Sequence, residues 1–226
     1  MKAPLAIAAR DLRMTYRVGS TRVDALCGIS LDVPVGEFLL LMGPSGSGKT
    51  TLLSILGGIL TPTGGVVVAS GVELTRLHRR ELASFRLHNV GFVFQAFNLF
   101  SALTARENVQ LSLSLKGVKA TEGHDQACAL LDEVGLGDKC DRAPADLSAG
   151  EKQRVAIARA LAGSPRLILA DEPTASLDSD NGKHITTLLR SLAKSHGCTV
   201  LTVTHDPRIA EVADRVLHIE DGVLRD

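Results

Sequence analysis

Gly43-Pro44-Ser45-Gly46-Ser47-Gly48-Lys49-Thr50 sets glycines, serines, one lysine and one threonine in the order G-x-x-x-x-G-K-T. Backbone N–H groups in such a loop turn inward and cradle phosphates, because glycine opens conformations that a side chain forbids. Lys49 is placed to reach the β- and γ-phosphates and the Thr50 hydroxyl suits Mg²⁺, with Thr51 closing the nucleotide-binding run. The ligand class implied is a nucleoside triphosphate. Downstream, the apolar run Leu167-Ile168-Leu169-Ala170 ends in Asp171-Glu172. Ligands collect at the carboxyl ends of parallel strands, so Asp171 is expected to face the metal. Glu172, one residue further, is placed to accept a proton from a water attacking the γ-phosphate. A third segment, Leu147-Ser148-Ala149-Gly150-Glu151-Lys152-Gln153-Arg154, opens a helix expected to run to about residue 162. Its serine hydroxyl and glycine backbone could hold a second phosphate, although a serine before a helix is more often only an N-cap.

These residues need elements to hold them. Residues 37–42 carry the short apolar run of a buried parallel strand, and Leu52, Leu53, Leu56 and Leu60 repeat at helical spacing, predicting a helix over 49–60 directly behind the loop. Open amides and the positive end of that helix dipole add to the attraction for phosphate. Residues 5–33 alternate in short strand-like pieces about an Arg17-Val18-Gly19-Ser20 turn and read as a β arm. After Gln95 the pattern becomes helical: Thr104-Ala105-Arg106-Glu107 is a capping box opening a helix to about 115, followed by helical periodicity over 121–134 and 150–162. This middle third reads as a helical lobe inserted between two halves of a parallel sheet. Strands and helices then alternate: a strand over 166–170, a helix over 179–196 closed by Gly197, a strand over 199–204, a helix begun by Asp206-Pro207, and strands about Asp221-Gly222.

The chain has 226 residues, 45% of them hydrophobic and 22% charged, enough to bury a substantial core as one compact domain. Its net charge of zero gives no basic footprint and its 3% aromatic content gives no stacking platform, so nucleic acid is not an expected partner. Cys27, Cys128, Cys140 and Cys198 are scattered without a C-x-x-C pair, which speaks against zinc or a disulfide framework and for a reducing compartment. No apolar stretch approaches about 18 residues and no signal-peptide centre opens the chain, so any membrane-spanning part is expected on another chain.

The order of phosphate loop, Gln95, LSAGEKQR, LILADEP, Ser176-Leu177-Asp178 and His205 resembles the ATP-binding cassette ATPases across essentially the whole chain. The resemblance implies an α/β P-loop NTPase: a RecA-like core with a mainly parallel sheet, an antiparallel β arm and an inserted helical subdomain. It implies one ATPase domain over 1–226, with the core and β arm at about 1–95 and 163–226 and the helical subdomain at about 96–162. It implies ATP and Mg²⁺ as ligands, with Thr50, Gln95 and Asp171 at the metal and Glu172, Gln95 and His205 as the catalytic set. Tyr16 matches the position where the family stacks an aromatic ring on adenine, although a structural tyrosine in a β ribbon is the other reading. Ser148, Ala149, Gly150 and Glu151 match the signature that closes on the γ-phosphate held by a second subunit, and Asp178 matches a loop at that interface.

By the same resemblance two chains sandwich two ATP molecules and drive a separate integral membrane permease from the cytoplasmic face of the cell membrane. The commoner signature is LSGGQ; here Ala149 and Glu151 depart from it. Alanine is acceptable wherever φ is negative, whereas a carboxylate near polyphosphate repels it unless it points at the sugar or the partner chain. The run FQAFNLFSALTARENV with LSAGE most resembles the branch containing lipoprotein-releasing, macrolide-exporting and heterocyst glycolipid-exporting subunits. Leu99 and Phe100 read either as core or as part of a groove that receives the permease. A regulatory ATPase that dimerises on ATP without translocation is the alternative function; a co-purifying polytopic membrane protein separates the two.

Overall fold

The computed structural model describes residues 4–225; the extreme ends of the expected 1–226 unit lie outside the described residues. Two sheets form. The larger runs β10-β9-β3-β8-β7-β6 and the smaller β2-β1-β4-β5. Their strands are β1 (Leu5–Val18), β2 (Thr21–Pro34), β3 (Phe38–Met42), β4 (Gly64–Ala69), β5 (Val72–Glu73), β6 (Val90–Phe94), β7 (Leu167–Asp171), β8 (Thr199–Thr204), β9 (Arg215–Glu220) and β10 (Val223–Arg225). In the larger sheet β9, β3, β8, β7 and β6 run parallel and only β10 is antiparallel. Every residue of β3 and β8 is buried, as expected of central parallel strands covered on both faces.

Strand alternation splits the apolar side chains between two cores. Leu39, Leu41, Leu167 and Leu169 face the core shared with the β arm, while Phe38, Ile168, Ala170 and Val200 face the helices on the other side. The helix α1 (Lys49–Leu56) lies between the two sheets, and Leu52, Leu53, Ile55 and Leu56 are all buried around it. A helix with so broad an apolar face needs such cover, while Thr50, Thr51 and Ser54 occupy its other side. It ends at Leu56 instead of running to 60, because Gly57 caps it and Gly58 turns at φ 68°. Leu60 nonetheless packs against the same core from the loop, which is why its spacing mimicked helix.

The opposite face is covered by α3 (Ala105–Leu115), α4 (Ala120–Glu133), α5 (Ala149–Leu161) and α6 (Ser179–Ser195). Thr104 caps α3 by accepting from the Glu107 amide at 3.2 Å while the Glu107 carboxylate accepts from the Thr104 amide at 2.8 Å, the reciprocal pair its sequence predicts. Asn108 is fully buried and its side chain spans the backbone of Phe100, Leu103 and Thr104, fixing the approach to α3. Three parts differ from sequence expectation. The β arm consists of two 14-residue strands interrupted by bulges, not short pieces. Residues 64–89 carry β4, β5 and α2 (Arg79–Asn89), whose polar composition buries only Phe85 and leaves no periodic apolar face to read. The helix begun by Asp206-Pro207 is a six-residue 3₁₀ segment.

Candidate functional site

The register of the larger sheet sets Met42 beside Thr204, Asp171 beside Val203 and Phe94 beside Asp171. The loops beginning at Gly43, Gln95, Glu172 and His205 therefore leave from one edge, at the carboxyl ends of parallel strands. The residues gathered there lie up to 162 positions apart in sequence, and the parallel register is what unites them.

The phosphate loop joins β3 to α1. Gly48, immediately before α1, adopts φ 103°, and a Cβ there would sit 2.4 Å from the Ala25 carbonyl, so only glycine fits. The Lys49 side chain folds back over the loop and donates to the carbonyls of Gly43 at 2.8 Å and Pro44 at 2.9 Å. Lys49 is 7% exposed, and those carbonyls are its hydrogen-bond partners among the described residues. A buried cation held by neutral acceptors favours an anionic ligand. The Ser47 hydroxyl is also buried and, among the described residues, has no hydrogen-bond partner, which leaves a free polar atom lining the same loop. Both features suit a polyphosphate.

Thr50 donates to Asp171 at 3.0 Å, closing a hydroxyl–carboxylate pair across the edge. Burial pushes the Asp171 carboxyl above its ordinary range, with the Thr50 hydrogen bond opposing and the Glu172 charge adding to it. An all-oxygen pair of this kind suits Mg²⁺, whose charge would hold Asp171 ionised. Gln95 follows β6 directly, and its carbonyl accepts from the Ser176 hydroxyl at 3.3 Å.

Glu172 leaves the end of β7 with φ 47°, a left-handed conformation that disfavours any residue with a Cβ. The turn aims its carboxylate at β8: Thr204 donates to it at 3.1 Å and His205 Nδ1 at 2.8 Å, the histidine presenting its N–H to the acceptor. A carboxylate so oriented, with only 16% of its side chain exposed, can receive a proton from a water on the open side. Tyr16, on β1, brings its hydroxyl to 3.3 Å from Thr51 while remaining 36% exposed, so an aromatic face stands at the rim of the phosphate loop.

The signature residues sit elsewhere in the chain. Ser148 caps α5, accepting from the Glu151 amide at 3.3 Å, while the Glu151 carboxylate accepts from the Ser148 amide at 2.8 Å. Ala149 has helical backbone with negative φ, so the missing glycine is not needed there. A Cβ on Gly150 would come 3.9 Å from Asn181, which is bound by the Asp178 cap of α6 at 2.7 Å. The signature and Asp178 are thus neighbours, and among the described residues no hydrogen bond or ion pair ties Ser148, Ala149 or Gly150 to the phosphate loop of the same chain.

Glu151, the charge that threatened repulsion, is turned to Lys139, whose ammonium lies 2.5 Å from the carboxylate. Lys139 first, and then the Ser148 amide, hold the Glu151 carboxyl down at about 2. Sequence reasoning passed over Lys139, Thr204 and Ser176 as partners, because each reaches the site through tertiary contact and not local spacing. A carboxylate held below its unfolded value of about 4.5 contributes stability that is present above that value and lost as pH falls through about 2. The stability difference between the native chain and Glu151→Gln, measured by urea unfolding, is therefore expected to shrink between about pH 5 and about pH 3. A difference constant over that window would show that Lys139 does not hold the charge.

The family model for "ABC transporter" matches residues 26–175. The macrolide export ATP-binding/permease protein MacB of Brucella melitensis is 47% identical over 222 residues, 98% of this chain and 34% of its own length, so the chain spans about a third of that relative. An uncharacterised ABC transporter ATP-binding protein of Thermotoga maritima is 46% identical over 94% of this chain and 90% of its own length. Among solved structures, the post-hydrolysis dimer of the ATP-binding cassette MJ0796 bound to ADP and phosphate superimposes with a TM-score of 0.89, at 40% identity and 97% coverage of both chains. With the phosphate loop, the Asp171–Thr50 pair and the Glu172 turn on one sheet edge of an α/β P-loop NTPase fold, the chain belongs to the ABC transporter family and is an ATPase.

Proposed function

We propose that this chain is the motor of a transporter: it binds Mg-ATP between two copies of itself, hydrolyses it, and drives export or extraction through an integral membrane permease at the cytoplasmic face of the cell membrane. The observation that carries this reading is the separation of the signature at the start of α5 from the phosphate loop of its own chain, which leaves each site to be closed by another subunit. The dimeric cassette and the MacB relatives support it, as does the T. maritima relative of similar length. None of these relatives bears a name that favours the regulatory alternative.

In this reading Gly43 to Thr51 hold the phosphates, with Lys49 leaving the Gly43 and Pro44 carbonyls for the β- and γ-oxygens. Thr50, Asp171 and Gln95 hold Mg²⁺, which when bound neutralises charge developing on the phosphates. Glu172 accepts the proton of the attacking water. His205 and Thr204 fix the direction of its carboxylate, and His205 turns to the γ-phosphate once nucleotide is present. Tyr16 stacks on adenine, and Asp178 lies at the subunit interface beside the signature. Residues 96–162 act as the helical subdomain of a single cassette whose core is 1–95 and 163–226. Leu99 packs against the helix-side core, whereas Phe100 is 56% exposed and faces the permease.

The test is Ser148→Arg. Nucleotide affinity of the isolated monomer, measured by titration calorimetry, is expected to stay within about twofold of the native value, since Lys49 and Thr50 are untouched. Dimerisation in Mg-ATP and hydrolysis are expected to fail. A monomer that loses ATP affinity would place the signature in its own chain's site and refute the arrangement.

A further inference from the structure

The segment after Gln95 folds into an unusual turn. Phe97 and Asn98 are consecutive non-glycine residues with φ of 60° and 50°. The Phe97 amide bonds back to Phe94 at 3.1 Å and the Asn98 amide to Ala96 at 2.6 Å. Phe97 is the more unfavourable of the two, since asparagine visits the left-handed region more readily than a bulky side chain does, and such a consecutive pair persists when the surroundings over-determine it. The constraint comes from Arg159, in the last turn of α5. Its guanidinium donates to the Phe97 carbonyl at 2.8 Å and also to the Asn98 carbonyl, so one rigid fork holds both strained residues. No carboxylate shares these bonds, and burial pushes the Arg159 guanidinium below its ordinary value. A half-buried cation spent on two backbone carbonyls is a costly fixture for a surface loop.

Arg159 is carried rigidly. Gly91 of β6 lies so close to α5 that a Cβ there would meet the Ala160 carbonyl at 2.2 Å, and Val155, Ile157 and Leu161 are buried beside it. The thirteen residues of α5 span about 20 Å, with the Ser148 cap at one end and Arg159 near the other. The turn also borders a groove of about 260 Å³, lined in part by Phe92, Phe94, Asn98, Leu115 and Arg159.

We propose that Arg159 is a positioning residue for ATP hydrolysis: by clamping the left-handed turn at Phe97 and Asn98 it fixes Gln95 at the metal end of the site and locks that placement to the position of the signature helix. The inference rests on the ATPase reading above. Movement of α5 then displaces Gln95, and the clamp is the link through which the signature and the groove reach the same residue.

The test uses Arg159→Lys and Arg159→Met, each alone and combined with Asn98→Gly. Glycine adopts the left-handed conformation freely, so it lessens the need for the clamp without touching α5. Both arginine variants are expected to lower kcat about tenfold to a hundredfold with KM for ATP within about twofold. Asn98→Gly alone is expected to be near native, and the double variants to regain at least about tenfold of what was lost. Without nucleotide, hydrogen exchange at the Phe97 and Asn98 amides should accelerate at least about tenfold in Arg159→Met, with β7 amides unchanged. If Arg159→Met does not fold, Arg159→Lys is read by the same exchange measurement. Unchanged exchange at these amides, or a kcat deficit that Asn98→Gly leaves intact, overturns the proposal. Native turnover that disappears in Lys49→Ala holds the ATPase reading in place whichever way Arg159 behaves.

Discussion

Replacing Glu172 by glutamine is expected to lower ATP turnover about 10²- to 10⁴-fold while nucleotide binding persists. The amide keeps the volume of the carboxylate; its one oxygen can still accept from His205 while its NH2 meets the Thr204 hydroxyl, which can accept as well as donate, so the turn at residue 172 survives. What it loses is basicity: an amide does not take the proton released by the attacking water. Binding without hydrolysis should then trap the closed dimer, since whatever binds one state holds the population there. Phosphate release at saturating Mg-ATP measures the first effect and size-exclusion chromatography in Mg-ATP the second. A variant that stays monomeric with ATP bound sinks the two-subunit site, and one that turns over normally removes Glu172 as the base.

Lys49→Ala is expected to weaken ATP binding by about 3 kcal/mol, roughly two orders of magnitude, the range for removing one member of a buried charge pair. Stability without nucleotide should move the other way or not at all. The ammonium is 7% exposed and held by two carbonyls, so its removal relieves a desolvation penalty that the nearby Asp171 charge offsets only in part. Calorimetry and a thermal melt read the two quantities separately. Near-native ATP affinity in the variant removes the phosphate loop as the binding site, and a large drop in the nucleotide-free melting temperature would assign Lys49 a structural role instead.

The phosphate loop, β3, β7 and β8 were legible because their signals are local: a fixed glycine spacing, and short apolar runs buried on both faces. The sheet edge followed from strand ends alone, so Thr50, Asp171, Glu172 and His205 could be expected near one another before any distance was known. What stayed hidden depended on partners far away in sequence. The Glu151 charge looked like a threat to phosphate until Lys139, the last residue of a 3₁₀ turn, drew it aside. Leu60 kept helical spacing although Gly57 had already ended α1, since a loop residue packing on the same core leaves the same apolar mark. Arg159 gave no signal: its acceptors are main-chain oxygens, which every residue possesses.

The backbone at Glu172 carries one further consequence, for anyone sorting random variants of this chain. At φ 47° a glycine is at ease where glutamate is not, so that replacement relaxes the turn by about 1 kcal/mol. A library ranked only on heat tolerance or soluble yield would enrich this exchange and lose with it the carboxylate proposed as the proton acceptor. At this codon, thermal hardiness and turnover are opposing selections, and only a screen that counts released phosphate keeps the motor running.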